Sequence, residues 1–285
     1  MVLVRPANVV TSMADALAGT AVAGLSLSQD YGLVAKLAVI SAFLYAGGIV
    51  FNDIFDRKLD ATERPERPIP SGQVPLYHAY LYGIVLLLTA VAMAFSVGTL
   101  TGMFSVGIVF FAVTYDRFAK HHAVFGPIFM GMARALNLLM GISVVVPALH
   151  SYWWLGFLPL VFIASVTLTS REENRGRNKG ALGIAIFLDV MVALVIGYLI
   201  YVTTIYWYIA GALALLWVIG VLRAKIRAFR VNTPENIKNA VKTGVLSLIV
   251  LDATYALVFD QFSFALLILI LLPLSLALAR KFAVT

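Results

Sequence analysis

The sequence predicts an all-α, polytopic membrane protein, and three observations support this fold class. Hydrophobic residues make up 61% of the 285 residues, charged residues only 12%, and the mean hydropathy is +0.95. The apolar residues also fall into long runs of about 20 residues, the length that crosses a bilayer as a helix. Lys and Arg cluster at alternate breaks between these runs. We therefore expect nine or ten transmembrane helices in a single domain spanning residues 1–285.

The runs are separated by turn-forming or charged segments, and each is long enough to be a candidate span. The ten candidates cover roughly 9–27, 33–52, 76–97, 99–116, 124–146, 152–170, 180–203, 206–223, 239–259 and 262–280.

The distribution of basic residues predicts the orientation. If the ten spans alternate from an inner N-terminus, every Lys and Arg lies in an inner segment except Lys36 and Arg134. Inner loops carry such an excess of basic residues in polytopic proteins. The sequence therefore predicts a multi-pass protein of a bacterial-type inner (plasma) membrane, with the charged loops in the cytoplasm.

Two function classes are disfavoured by composition. The absence of cysteine excludes disulfides, thiolate catalysis and Cys-ligated metals. The net charge of +7 is better explained by the positive-inside bias than by nucleic-acid binding. The basic stretch 223–230 at a helix end is most simply interpreted as a contact for anionic membrane lipid.

The segment Phe51–Val74 is the best candidate for a functional site. Asp53, Asp56 and Asp60 are spaced at i, i+3 and i+7, so on a helix they share one face, with Asn52 beside them. Mg²⁺ takes carboxylate oxygens and typically uses one or two of them together with substrate phosphates.

The alternative without a functional site is an ordinary charged loop between two membrane helices. Against it, the run RPERPIPSG after the aspartates contains three prolines and a glycine, which predicts a stiff, non-helical strap. Its arginines provide donors for phosphate oxygens. We interpret the segment as a Mg²⁺–diphosphate site at the membrane surface.

These residues resemble a known family. NDIFDRKLDATERPERPIPSGQV is similar to the first motif of the UbiA superfamily of intramembrane prenyltransferases, and RPANVV and GMARALNLLMG resemble other segments of that family. The resemblance implies a helical bundle around a central cavity. It also implies Mg²⁺-dependent ionisation of a polyprenyl diphosphate and transfer of the prenyl group to an unidentified acceptor in the membrane.

The resemblance also implies residue roles. Asn52, Asp53, Asp56 and Asp60 would form the first metal–diphosphate cluster. The residues that would bind the diphosphate beside it are Arg64, Arg67, Tyr115 and Lys120.

Other candidates come from the middle of the chain. Arg134 lies within a span, where it needs a partner, and Asn137 shares its face. They form either an interior structural cluster or a contact for the acceptor or diphosphate. Arg171 and Lys179 are further candidate substrate-binding residues in the second charged loop, 169–180.

This second loop departs from the family pattern. The family carries D-x-x-x-D there, whereas this loop has no Asp. Either Ser170 and Asn174 occupy the two Asp places, or Glu172 and Glu173 act as substitute metal ligands. The departure resembles the EboC-like branch of the superfamily. It motivates an alternative function, in which the protein binds or transports a lipid or isoprenoid-like molecule without prenyl transfer.

The two charged loops follow the second and the sixth candidate span. This spacing predicts two pseudo-equivalent halves, about 1–120 and 121–225, followed by C-terminal helices at 239–280.

Overall fold

A computed structural model of the chain describes residues 2–120, 122–171 and 178–281, and these residues are almost entirely helical. The α-helices are α1 (Pro6–Val22), α2 (Tyr31–Glu63), α3 (Leu76–Phe95), α4 (Thr99–Thr114), α5 (Phe125–Ile142), α6 (Val146–Tyr152), α7 (Phe157–Ser170), α8 (Lys179–Thr203), α9 (Trp207–Arg230), α10 (Pro234–Val258) and α11 (Phe262–Lys281). Short helices of other types are the 3₁₀ turns Val2–Val4 and Trp153–Gly156 and the π-helix Tyr115–Ala119.

The predicted all-α membrane fold is confirmed. Within the described ranges, nine helical segments are long and apolar enough to cross a membrane, and α1, with 17 residues, is slightly shorter. Each of the ten candidate spans corresponds to one of these helices. The prediction differs in detail near residue 152, because the sixth span is preceded by α6 and a 3₁₀ turn.

Helix α1 lies at the centre of the bundle, where it packs against α2, α5, α10 and α11. Small residues allow the close approach to α5. A Cβ added to Gly19 would lie 2.2 Å from the Leu138 carbonyl oxygen, and one added to Gly141 would lie 2.4 Å from that of Ala16. The α1–α5 crossing therefore depends on glycine at both positions, and it fixes the polar side chains that these helices carry.

Helix α2 is longer than a membrane span requires. Its 33 residues extend about 50 Å at 1.5 Å per residue, and about 20 residues suffice to cross the hydrocarbon core. A 20-residue span counted from Tyr31 ends near Val50. The segment from Asn52 to Asp60 thus continues the helix into the interfacial region, and the strap of turns at 64–75 follows it, as predicted.

One residue of the basic stretch 223–230 does not fit the lipid-contact interpretation. Lys225 is fully buried; its Nζ lies 2.7 Å from Asp189 Oδ2 and donates a 2.8 Å hydrogen bond to Ser165 Oγ. Helical periodicity turns this lysine inward, whereas Arg223, Arg227 and Arg230 remain exposed.

Candidate functional site

The aspartate face of α2 is held by arginines from two other segments. Asp53 Oδ1 accepts hydrogen bonds from Arg5 Nη2 at 2.8 Å and from Arg67 Nη1 at 3.3 Å. The same Arg67 nitrogen donates to Asp60 Oδ2 at 2.7 Å. Arg67, Asp53 and Asp60 are all buried, so one guanidinium bridges two carboxylates that are two helical turns apart.

The strap after α2 explains how Arg67 reaches back. Its Ile69 and Val74 pack against a small apolar cluster that includes Leu3 and Ile54. Because these contacts hold the strap against α2, Arg67 is pressed against the α2 carboxylates rather than extended into water. The proline-rich run therefore serves to position a cation.

The remaining residues of the predicted cluster connect α2 to the end of α4. Lys120 Nζ pairs with Asp56 Oδ2, and Asn52 Nδ2 donates to Asp116 Oδ1 at 2.7 Å. Asp56 is partly buried, with 14% of its side chain exposed. The two helices thus share two polar contacts at one level of the bundle.

The π-helix that follows α4 places Tyr115 and Lys120 together. The Lys120 amide donates to the Tyr115 carbonyl at 2.8 Å, an i to i+5 closure. In an α-helix, residues five apart would point about 140° away from each other. The wider π turn brings them to one face, and such turns frequently occur at functional sites.

A cavity of about 430 Å³ runs beside these residues. Along α2 it extends from Ser41 to Asn52, about 16 Å at 1.5 Å per residue. Its polar lining at the Asn52 end consists of Arg5, Asn52, Tyr115, Asp116 and Lys120, and Ser170 at the end of α7 also lines it. Its apolar lining includes Leu44, Ile49, Ile108, Ala112 and Met130.

Arg134 and Asn137 line the same cavity and share one acidic partner. Arg134 Nη1 lies 2.7 Å from Asp15 Oδ2, and Asn137 Nδ2 donates to that oxygen at 3.0 Å. Arg134 also donates to the Thr11 carbonyl and hydroxyl oxygens and lies 4.9 Å from the centre of the Tyr45 ring. The predicted need for a buried partner is confirmed, and these side chains both join α1 to α5 and border the cavity.

Other predicted residues lie away from the cavity lining. The Arg64 backbone amide donates to the Asp60 carbonyl at the end of α2, and Arg171 Nη1 contacts the Ala123 carbonyl oxygen at 3.4 Å. Lys179 is exposed at the start of α8. Glu172, Glu173 and Asn174 lie outside the described residues, so the metal-ligand role of the two glutamates stays a prediction.

Two residues at the Asn52 end were not among the predicted site residues. Asp116 lies within the segment between Tyr115 and Lys120, but an α-helical interpretation gives it no role. Arg5 precedes Pro6 and is distant in sequence from every other charge. The spacing of five between Tyr115 and Lys120 was the available signal for Asp116, and the signal for Arg5 was the family-like segment RPANVV, which begins with it.

The donor set fits Mg²⁺ in combination with a phosphate. Within the ranges given above, no three acidic or histidine side chains already converge on one point. However, Mg²⁺ needs only one or two carboxylates when a substrate supplies phosphate oxygens. Asn52, Asp53, Asp56 and Asp116 provide hard oxygen donors from two adjoining helices, and Lys120 and Arg5 provide cations beside them.

Comparisons with known proteins identify the family. The model of the UbiA prenyltransferase family matches residues 12–243. A digeranylgeranylglyceryl phosphate synthase from Methanothermobacter thermautotrophicus is 29% identical over 181 residues, covering 63% of this chain and 63% of that protein. A 4-hydroxybenzoate octaprenyltransferase from Janthinobacterium sp. is 30% identical over 154 residues, covering 51% of this chain and 53% of that protein.

Solved structures show the same fold. A UbiA homolog from Aeropyrum pernix K1 superposes with a TM-score of 0.68 at 16% identity, covering 86% of this chain and 97% of that one. A UbiA homolog from Archaeoglobus fulgidus, bound to GPP and Mg²⁺, gives a TM-score of 0.62 at 16% identity, covering 85% and 98%.

The family model covers most of the chain, whereas the matched region spans less than two thirds of each of the two curated relatives. The structural likeness independently establishes the bundle. The chain belongs to the UbiA prenyltransferase family.

Proposed function

We propose that this protein is an intramembrane prenyltransferase that transfers a polyprenyl group from a prenyl diphosphate to an acceptor. The observation that carries the proposal is the cavity, which combines an apolar wall with a polar end built from Asn52, Tyr115, Asp116 and Lys120. The apolar wall suits a prenyl chain, and the polar end suits a diphosphate and a divalent cation.

The proposed reaction requires that the charge of the leaving diphosphate be neutralised and that water be kept away from the allylic cation. Transfer breaks the bond between the first prenyl carbon and the diphosphate oxygen, forms a bond from that carbon to the acceptor, and releases a proton from the acceptor. Bound Mg²⁺ would supply positive charge to the leaving diphosphate. Lys120 would donate to the diphosphate from the π turn, Asn52 and Asp53 would hold the metal ion, and the apolar wall would exclude water from the allylic cation.

Arg134 lines the cavity and is paired with Asp15, and it is the cation that an anionic acceptor would share. Arg134 contacts the ring of Tyr45, which precedes Asn52 on α2 by seven residues. Measured along α2, Arg134 therefore lies roughly 10 Å from the Asn52 end of the cavity. The names of the two curated relatives suggest two acceptors to test, an isoprenoid glyceryl phosphate lipid and 4-hydroxybenzoate, and both carry a negative charge.

The experiment is an assay of the purified protein with labelled geranylgeranyl diphosphate, Mg²⁺ and one acceptor at a time. The acceptors are geranylgeranylglyceryl phosphate, 4-hydroxybenzoate and a total membrane lipid extract. We expect diphosphate release and a labelled prenylated product with at least one acceptor, both abolished by EDTA. The Asp56→Asn variant should lose activity, and the matched surface variant Lys238→Gln should keep it.

A second outcome of this assay distinguishes the alternative function, binding or transport, from prenyl transfer. If the protein binds the prenyl diphosphate with Mg²⁺ but forms no product with any acceptor, it is a binding or transport protein on the same fold. The pairing of each α2 aspartate with a cation gives that alternative its physical basis. If neither binding nor turnover occurs, both proposals are contradicted.

A further inference from the structure

Arg5 has a fixed backbone and a partly exposed side chain. It lies between Leu3, which is buried in the cluster with Val50 and Ile54, and Pro6, the first residue of α1. Its φ of 40° is left-handed, a conformation that costs a non-glycine residue roughly 1–2 kcal/mol. The surrounding contacts therefore hold Arg5 in place, and its guanidinium is directed toward α2 and the cavity.

The contact of Arg5 with Asp53 is exchangeable. Arg5 and Arg67 donate to the same Asp53 oxygen, but only 9% of the Arg67 side chain is exposed, against 36% for Arg5. If Arg5 swings away, Asp53 keeps its contact with Arg67, which it shares with Asp60. The departure of Arg5 thus leaves each carboxylate in contact with Arg67 and one net negative charge that a divalent cation would neutralise, whereas the departure of Arg67 would leave Asp60 with no partner among the described residues.

Lys120 makes another partly exposed contact with a carboxylate on the next turn of α2. It lines the cavity and pairs with Asp56, and 25% of its side chain is exposed. Two cavity-lining cations therefore cover two carboxylates that a divalent cation would need, and both cations suit phosphate oxygens. Metal and cation compete for one carboxylate oxygen, and metal-bound diphosphate offers the displaced cation a new partner.

We propose that Arg5 is a diphosphate-binding residue that exchanges its Asp53 contact for the diphosphate when the prenyl diphosphate and a divalent cation bind. The exchange makes the two ligands cooperative, because each removes an obstacle to the other. This inference rests on the proposed function. It assigns a substrate-binding role to the segment that precedes α1.

The test uses two binding measurements on the full chain in detergent. Mn²⁺, as a spectroscopically visible divalent probe, is titrated into the protein alone and followed by electron paramagnetic resonance. Geranyl S-thiolodiphosphate, which resists ionisation, is then titrated in the presence of Mg²⁺. The variants are Arg5→Gln, Arg5→Lys and the charge-matched control Lys238→Gln, an exposed position on α10.

We expect opposite effects for Arg5→Gln. Mn²⁺ alone should bind several-fold more tightly because a competitor for Asp53 is gone, and the thiolodiphosphate should bind about tenfold more weakly, since a charge-assisted contact is lost. Arg5→Lys should restore most of the thiolodiphosphate affinity, and Lys238→Gln should change neither.

A purely structural Arg5 would weaken both ligands together or change neither, and either result overturns the inference while leaving the proposed function intact. If the unmodified chain binds neither probe, the proposed function fails and the inference fails with it.

Discussion

Arg67 is the residue on which the geometry of the α2 carboxylates depends most. It joins Asp53 and Asp60 while almost fully buried, so its removal leaves the buried Asp60 without its partner and Asp53 with Arg5 alone. We expect Arg67→Met to destabilise the protein by about 3–5 kcal/mol, the usual cost of breaking a buried pair from one side. Thermal unfolding in detergent measures this loss.

The matched control is Arg64→Met, because the Arg64 side chain makes no hydrogen bond or ion pair to the described residues. Its unfolding temperature should stay close to that of the unmodified chain. Adding Asp60→Asn to Arg67→Met should recover part of the loss. Equal unfolding temperatures for Arg67→Met and Arg64→Met would contradict this account of the strap.

Residue types were easier to predict than partners. The i, i+3, i+7 spacing correctly indicated one helical face for the aspartates, and the intramembrane Arg134 correctly indicated a buried partner, since an isolated charge there is costly. Arg5 and Lys225 were different. Their contacts with Asp53 and Asp189 join segments that are far apart in sequence, and local spacing carries no information about such pairs.

At the scale of single elements, the π-helix after α4 makes a specific prediction. Deleting Phe118, which is 72% exposed, should return the turn to α-helical register and rotate Lys120 away from Tyr115. Mg²⁺-dependent binding of a prenyl diphosphate should fall by at least about tenfold. The length-preserving variant Phe118→Ala should bind like the unmodified chain, and similar binding by the two variants would exclude a role for the π turn.

The close crossing of α1 and α5 positions Arg134 and Asn137 of α5 against Asp15 of α1, and a variant at this crossing can test it. In Gly141→Ala, the new methyl group meets the Ala16 carbonyl oxygen at 2.4 Å, so the helices must separate. We expect a loss of about 1–3 kcal/mol, as for other overpacked sites. Gly197→Ala on α8 is the control, because its methyl group would meet nothing within 4 Å. Equal thermal stability of the two variants would contradict the proposed close contact.

Element positions were largely predictable because apolar runs of membrane length have few alternatives to a helix. The strap at 64–75 was predictable for a similar reason, since proline removes backbone donors. The π turn was not, because one extra residue in a helix leaves the hydrophobic pattern almost unchanged.

At the scale of the whole molecule, the distribution of Lys and Arg predicts which side of the membrane holds the strap. The chain has no cysteine, so a single introduced cysteine is the only residue of this chain that a thiol-specific maleimide labels. Ser28→Cys, in the exposed turn before α2, should react with a membrane-impermeant maleimide in intact cells. Ser71→Cys, in the exposed strap, should react only after permeabilisation. The reverse pattern would place the Asp-bearing end outside.

The whole-molecule arrangement also shows what sequence patterns leave undetermined. Ser170, at the end of α7, lines the same cavity as Asn52, so the ends of α2, α4 and α7 meet there. The charge count placed these ends on one side of the membrane, but their convergence on one cavity depends on helix packing. The division into two pseudo-equivalent halves stays a prediction.

The central claim is that the Asn52 end of the cavity binds a prenyl diphosphate through a divalent cation. Equilibrium binding of tritiated geranylgeranyl diphosphate to the purified protein tests it most directly, with Mg²⁺ or with EDTA. The account predicts saturable binding in Mg²⁺ that is lost in EDTA and in the double variant Asp53→Asn, Asp56→Asn. Binding of equal strength in all three conditions would contradict it.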